Sequence, residues 1–199
     1  MNRIPLSAFF VFAIVAALIF SMRRLDGHMS RDTAAVFYAF YQAAAITALV
    51  YAPIQIRRSA TKMIQPGYML GFFIAFPIIL ALLCQALPIP RTPVQVTITA
   101  IVAVVSIPLY RRDPGWSIVI TVPCLVYVYL VTGGLGVSLP SHTFSVAIPA
   151  NILLLLVLMI RDVRRGATRD WVHWVGTGSF LCMWSHLTVL VLKFVWFKR

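Results

Sequence analysis

Long apolar segments separated by short polar loops constrain this chain more than any other feature of its sequence. Crossing the hydrocarbon core of a bilayer takes roughly 17 to 25 apolar residues in an α-helix, at a rise of about 1.5 Å per residue. The segments have this length, and together they occupy most of the 199 residues. They cover residues 4–22, 33–56, 68–87, 93–110, 115–135, 144–160 and 172–196.

The amino-acid composition excludes an ordinary soluble fold. Hydrophobic residues make up 61% of the chain and charged residues 11%, whereas soluble domains have roughly 45–50% and 25%. The loops leave no room for a soluble domain of normal size. The sequence therefore predicts one all-α domain over residues 1–199, a polytopic transmembrane helix bundle of about seven spans. Because segments 4 and 6 are the shortest, an alternative of six spans stays open.

The stretch Thr33–Arg58, which comprises the second segment and the arginine pair after it, is predicted to be a central packing helix. It carries two series of alanines at four-residue spacing, which let helix backbones approach closely in lipid. Segment 1 has the same spacing at Ala13 and Ala17, which predicts a contact with segment 2. Pro53 is expected to bend or end the second helix. The two alanine series are Ala35, Ala39 and Ala43, and Ala44, Ala48 and Ala52.

The charge pattern predicts orientation in the membrane. The net charge is +12, there is no glutamate, and the five aspartates lie in loops or at segment ends. Arginine pairs close several segments, so anchoring is favoured over nucleic-acid binding, and anionic lipid headgroups are the expected partner. In a seven-span arrangement ten of the 17 basic residues lie on the N-terminal side. This predicts a cytoplasmic N-terminus in a multi-pass protein, assigned here to a bacterial inner membrane.

Two hairpins resemble each other. Segment 2 ends in Arg57-Arg58 and segment 3 begins with Pro66-Gly67-Tyr68, while segments 4 and 5 meet at Arg111-Arg112 and Pro114-Gly115-Trp116. Either an internal duplication or convergence on common anchor and turn residues explains the resemblance.

No catalytic, cofactor or metal site is predicted. His173 and His186 are thirteen residues apart, so they point to nearly opposite faces of one helix and could not clamp one haem. No two histidine, cysteine or carboxylate residues have ligand spacing within a segment. Ser138 lies in a G-x-S with no second glycine, and Lys193 lies close to the chain end, where it can extend to the interface.

A polar set at similar depth is the candidate functional site. Gln42, Asn151 and His186 lie in segments 2, 6 and 7. At about 1.5 Å per residue, all three are roughly 10–15 Å below one membrane surface. They are predicted to line a common polar cavity. The alternative is that each forms an ordinary interhelical hydrogen bond.

Three functions fit these observations. The favoured one is a non-catalytic, membrane-embedded subunit of a larger assembly, with other membrane proteins as partners. The alternative is a small transporter or facilitator, because proline-broken helices build intramembrane binding sites and segments 2 to 6 each contain a proline. The third is a membrane enzyme acting on lipid or isoprenoid substrates through surface arginines and His186. An enzyme is therefore less favoured than a protein without catalytic activity.

Overall fold

The computed structural model describes residues 4–25, 33–58, 64–87, 90–133 and 141–196. Within these ranges the chain forms seven α-helices and no strand. The helices are α1 (Leu6–Leu25), α2 (Thr33–Arg58), α3 (Pro66–Ala86), α4 (Arg91–Leu109), α5 (Pro114–Val131), α6 (Ser141–Arg164) and α7 (Trp171–Trp196).

The predicted all-α transmembrane bundle is confirmed. Each helix coincides with one apolar segment, and α2 has the predicted bounds. Among the described residues, the five helices from α2 to α6 are long and apolar enough to cross a membrane, and α1 contains a shorter apolar stretch, Leu6–Ser21. This is the architecture of a multi-pass integral membrane protein.

The internal prolines do not break the helices. Pro53 neither ends α2 nor interrupts it, since the helix continues to Arg58. Helices α3, α4, α5 and α6 also contain a proline and are assigned as continuous. Neighbouring helices and local adjustments can satisfy the backbone groups that a proline frees in a membrane helix. The broken helices on which the transporter interpretation depends are not found in the described ranges.

The chain divides into two compact units. Unit 1 comprises Met1–Phe76 and Arg169–Met183, and unit 2 comprises Pro77–Thr168 and Trp184–Arg199. Helices α3 and α7 therefore contribute one part to each unit. The single domain over residues 1–199 stays a prediction.

Helix α2 is the centre of unit 1, as its alanines predict. Ala39 and Ala43 are fully buried and pack with Ala16 and Ile19 of α1. Ala48 and Ala52 belong to a second buried cluster that includes residues of α1, α3 and α7. The other members of that cluster are Ala8, Tyr51, Tyr68, Trp171 and Val172.

The predicted α1 contact was wrong in detail. Ala13 and Ala17 are exposed, and α1 instead packs through Ala8, Ala16 and Ile19. Four-residue spacing alone cannot say which of several small-residue faces a helix presents to its neighbour. The side chain of Ala35 lies outside the described residues.

Helices α3 and α7 begin at the same end of unit 1 and run parallel. Gly67 lies beside His173, and Gly71 lies beside Gly176. Further along both helices, the Phe73 ring contacts the Phe180 ring with centroids 6.1 Å apart. Parallel spans require an odd number of crossings between them. Three crossings by α4, α5 and α6 fit this parallel arrangement, as the prediction of seven spans requires.

Unit 2 contains an antiparallel α4–α5–α6 arrangement. The Ser106 hydroxyl of α4 lies 3.0 Å from the Thr121 hydroxyl of α5. Leu158 packs on Gly115 near one end of the α5–α6 pair, while the tilted rings of Tyr129 and Phe144 contact each other near the other end, with centroids 5.0 Å apart.

Candidate functional site

The start of α7 is fixed to the start of α3 by a buried carboxylate. Asp170 directly precedes α7, and its Oδ1 accepts a hydrogen bond from the His173 backbone N–H at 3.0 Å. This is the helix-capping role for which aspartate is well suited. Its Oδ2 accepts from the Tyr68 hydroxyl and from Gln65 Nε2, the latter at 3.3 Å. The Asp170 backbone N–H donates in return to Gln65 Oε1 at 3.2 Å. The carboxylate thus ties α7 to both Gln65 and α3.

Two glycines allow the backbones of α3 and α7 to touch. The Gly67 backbone N–H donates to His173 Nδ1 at 3.0 Å, and His173 is fully buried. A Cβ at position 67 would overlap the His173 carbonyl, and a Cβ at 176 would overlap the Gly67 carbonyl. Only glycine fits at these two positions. The face of α7 that carries Gly176 is therefore closed by α3.

The opposite face of α7 borders an open groove. Gly178 lies two residues after Gly176, which is about 200° around the helix. A Cβ at Gly178 would have no neighbour within 4 Å. The groove lies between α2 and α7 and has a volume of about 600 Å³. Its lining residues are Val36, Phe37, Phe40, Tyr41, Ala44, Val175, Gly178, Ser179 and Cys182.

The walls of this α2–α7 groove combine aromatic rings with small side chains. On α7, Gly178 and the exposed Cys182 are four residues apart, the spacing that permits a close helix approach. Ala44 lines the α2 side. A second groove of about 240 Å³ continues toward α1 and shares Ala44 and Val175 with the first. The accessible surface of both is almost entirely apolar, so an apolar occupant is expected.

The predicted polar set is distributed over both units. Gln42 is half-buried on α2 in unit 1. Asn151 and His186 belong to unit 2, where Asn151 is buried and His186 half-buried. Asn151 Nδ2 donates to the Val119 carbonyl at 3.4 Å, and its Oδ1 has no hydrogen-bond partner among the described residues. The first contact is an interhelical hydrogen bond, and the common cavity stays a prediction.

Comparison with known proteins gives no family. No protein-family model, no curated protein and no solved structure matches this chain. Within the described ranges, no group of three histidine, cysteine, aspartate or glutamate side chains could hold a metal ion. Ser138 lies outside the described residues, as does the side chain of Lys193.

Sequence reasoning missed the α3–α7 contact, although the signals were present. Gly67 and Gly71 form a G-x-x-x-G in an apolar segment, which is a known helix-packing pattern. Asp170 directly before an apolar segment is a helix-start signal. What the sequence could not supply was the pairing of Asp170 with Gln65 and Tyr68, about a hundred residues away.

Proposed function

We propose that this protein is a non-catalytic, membrane-embedded subunit that binds a transmembrane helix of another protein in the α2–α7 groove. The observation that carries the proposal is the contrast between Gly176, which α3 fills, and Gly178, which borders open space. A glycine inside a helix costs about 1 kcal/mol relative to alanine. At Gly176 the missing side chain permits close packing against α3, which offsets this cost. At Gly178 no described residue packs against the glycine.

The groove chemistry favours a helix over a lipid chain as the occupant. Between helices in lipid there is no hydrophobic driving force, so association depends on van der Waals packing of small residues at helical spacing. The α7 wall has Val175, Gly178, Ser179 and Cys182, at positions i, i+3, i+4 and i+7 of one helix face. A flexible acyl chain requires an apolar surface but no such spacing.

Co-purification from mild detergent tests this function. We expect the wild-type protein to elute in a stoichiometric complex with another membrane protein, and Gly178→Leu to elute without that protein. A Cβ at this position has no neighbour within 4 Å among the described residues beyond the adjacent backbone of α7 itself, so the variant is expected to fold. Val104→Phe is the matched control, since Val104 is exposed on α4 and does not line the groove.

Three results would contradict the proposal. One is a complex that survives Gly178→Leu, which would place the interface elsewhere. Another is a homo-oligomer lost in the same variant, which would make the occupant a second copy. The third is a monomer whose groove retains a lipid, shown by lipid release on Gly178→Leu.

A transporter is the second candidate, and Asn151 favours it. Its amide oxygen is buried in the interior of α6 without a partner among the described residues, and a buried polar group in that state costs free energy unless water or a ligand reaches it. Single cysteines at Gln42, Asn151 and His186, in a chain whose three native cysteines are replaced, test this function. Labelling of all three by water-soluble thiol reagents from one side only would support it, and no labelling from either side would exclude it.

The membrane assignment completes the proposal. We place the protein in a bacterial inner membrane, with its N-terminus in the cytoplasm because of the excess of basic residues on that side. Reporter fusions after Arg58 and Arg112 should then both report a cytoplasmic position. The third candidate, a lipid-modifying enzyme using His186, stays a prediction from the sequence.

A further inference from the structure

An arginine clamp holds one end of unit 2 together. The Arg161 guanidinium, in the last turns of α6, binds the Asp113 carboxylate with two nitrogens, one of them at 2.9 Å from Oδ1. It also binds Asp162 Oδ1 at 3.1 Å. Asp113 directly precedes α5 and does not cap that helix with its side chain. Its carboxylate is committed to Arg161 instead, so the start of α5 is joined to the end of α6.

A close contact between the Leu158 side chain and Gly115 supports the clamp one helical turn away. Leu158 lies one helical turn before Arg161, and a Cβ at Gly115 would be 2.8 Å from its Cδ2 atom. Gly115 therefore lets α6 approach the first turn of α5. The buried Trp116 follows directly. The relative position of the two helix ends is fixed by both apolar packing and the ion pair.

Four further arginines flank this clamp. Arg111 and Arg112 lie in the turn before Asp113, and Arg164 and Arg165 lie within about one turn after Arg161. All four side chains are exposed. Among the described residues, none of these guanidinium groups has an ion-pair partner, whereas both nearby aspartates bind Arg161. The Arg161–Asp113 ion pair thus joins the turn that carries Arg111 and Arg112 to the end of α6, where Arg164 and Arg165 lie.

The position of the cluster identifies the kind of anion. It lies where the apolar helices α4 and α6 end and α5 begins, and all three are long and apolar enough to cross a membrane. That end is at the level of the lipid headgroups, where basic residues meet phosphate. Guanidinium groups bind phosphate oxygens through paired hydrogen bonds. A phosphate is therefore the anion that suits two arginine pairs on segments joined by the Arg161–Asp113 ion pair.

We propose that the arginine pairs 111–112 and 164–165 together bind the phosphate headgroup of one anionic lipid, at a site preformed by the Arg161–Asp113 clamp. The clamp holds the two arginine pairs in place but does not itself bind the phosphate, since Arg161 already binds two carboxylates. The site is independent of the α2–α7 groove, which belongs to unit 1. Failure of either proposal leaves the other standing.

The test is lipid binding measured by native mass spectrometry of the full chain, titrated with phosphatidylglycerol and, separately, phosphatidylcholine. Replacing Arg111 and Arg112 by Gln, or Arg164 and Arg165 by Gln, should weaken phosphatidylglycerol binding at least about tenfold, since either double variant removes two of the four guanidinium groups of the site. Arg57→Gln with Arg58→Gln is the matched control: the same pair of exposed residues at the end of α2, in unit 1. That control should change binding less than about twofold if the site is local.

Asp113→Asn separates a built site from general attraction. The variant is one charge more positive but loses the ion pair that joins Arg161 to the start of α5, while Asp162 still binds Arg161. A preformed site therefore predicts weaker phosphatidylglycerol binding, and general electrostatics predicts stronger binding. A thermal melt confirms that the variant is folded, and Asp26→Asn, which makes the same change of charge far away in the sequence, controls for the charge. Stronger binding in Asp113→Asn, or an equal loss in the Arg57/Arg58 control, would overturn the proposal. Competition by glycerol phosphate at the same concentration would instead identify a soluble phosphate ligand and overturn the lipid assignment.

Discussion

The two glycine faces of α7 lie on one helix and differ in what fills them. On one face, Gly176 touches the backbone of α3, and the contact is locked by His173 and by Asp170 at the helix start. On the other, Gly178 borders a groove of about 600 Å³ between α7 and α2. The closed face shows what a glycine face accomplishes in this protein, namely backbone contact with another helix. This comparison is the basis of our proposal that the open face binds a helix by the same physics.

Adding one methyl group at the closed face should have the largest effect on stability of the variants considered. Gly67→Ala places a Cβ against the His173 carbonyl, so α3 and α7 must separate. We expect a loss of about 3 kcal/mol, the upper end of the usual range for overpacking. Unfolding in mixed detergent micelles, followed by circular dichroism, measures this loss. Equal stability of Gly67→Ala and the wild type would show that the closed face is not tightly packed.

The carboxylate that locks the closed face should have the next largest effect. Asp170→Ala removes a helix cap and strands the donors of Gln65 and Tyr68, at a cost of about 2–3 kcal/mol. Tyr68→Phe removes one of these hydrogen bonds and should cost about half as much. The same unfolding measurement ranks the two variants. If Tyr68→Phe were the more damaging one, Asp170 would not be the centre of the network.

The α1–α2 contact supplies a reference outside α7. Ala43→Leu inserts bulk into a fully buried position against α1 and should cost about 2 kcal/mol. Ala48→Leu, in the second buried cluster, should behave similarly. Ala13→Leu is the control, since Ala13 is exposed and leucine should be neutral there. An unchanged melting temperature in both buried variants would mean that these alanines face lipid.

The smallest expected effect on stability is at the open face, where we expect a gain and not a loss. Gly178→Ala adds a methyl group where nothing lies within 4 Å, and alanine favours the helix by about 0.5–1 kcal/mol. The isolated protein should therefore become slightly more stable. A clear loss of stability in the purified, partner-free protein would show that Gly178 is packed against its own chain.

Much of the fold was predictable from the sequence because bilayer thickness fixes the length of an apolar helix. All seven helices and the bounds of α2 follow from apolar runs and their ends. The helix partners were harder to predict. Small-residue spacing indicated that α2 packs on two sides, but it gave Ala13 and Ala17 as the α1 contact when Ala16 and Ile19 make it. Spacing predicts that a face exists, and only the three-dimensional arrangement decides which face is used.

The candidate site was less predictable than the fold. The polar residues Gln42, Asn151 and His186 attracted attention because polar side chains stand out in apolar segments. The open groove is instead lined by residues such as Phe37, Ala44 and Gly178, which are common in any membrane helix. A groove depends on the separation between two helices, which no single residue in the sequence indicates.

The most direct test of the central claim is photo-cross-linking from the open face in cells. A photo-reactive amino acid incorporated in place of Cys182 lies on the groove wall, and the same residue in place of Val104 on α4 is the control. We expect a single protein adduct of defined mass from position 182, absent from position 104, and lost when Gly178→Leu fills the groove. Adducts from position 182 that contain only lipid or a second copy of this chain, or a protein adduct that persists in Gly178→Leu, would contradict it.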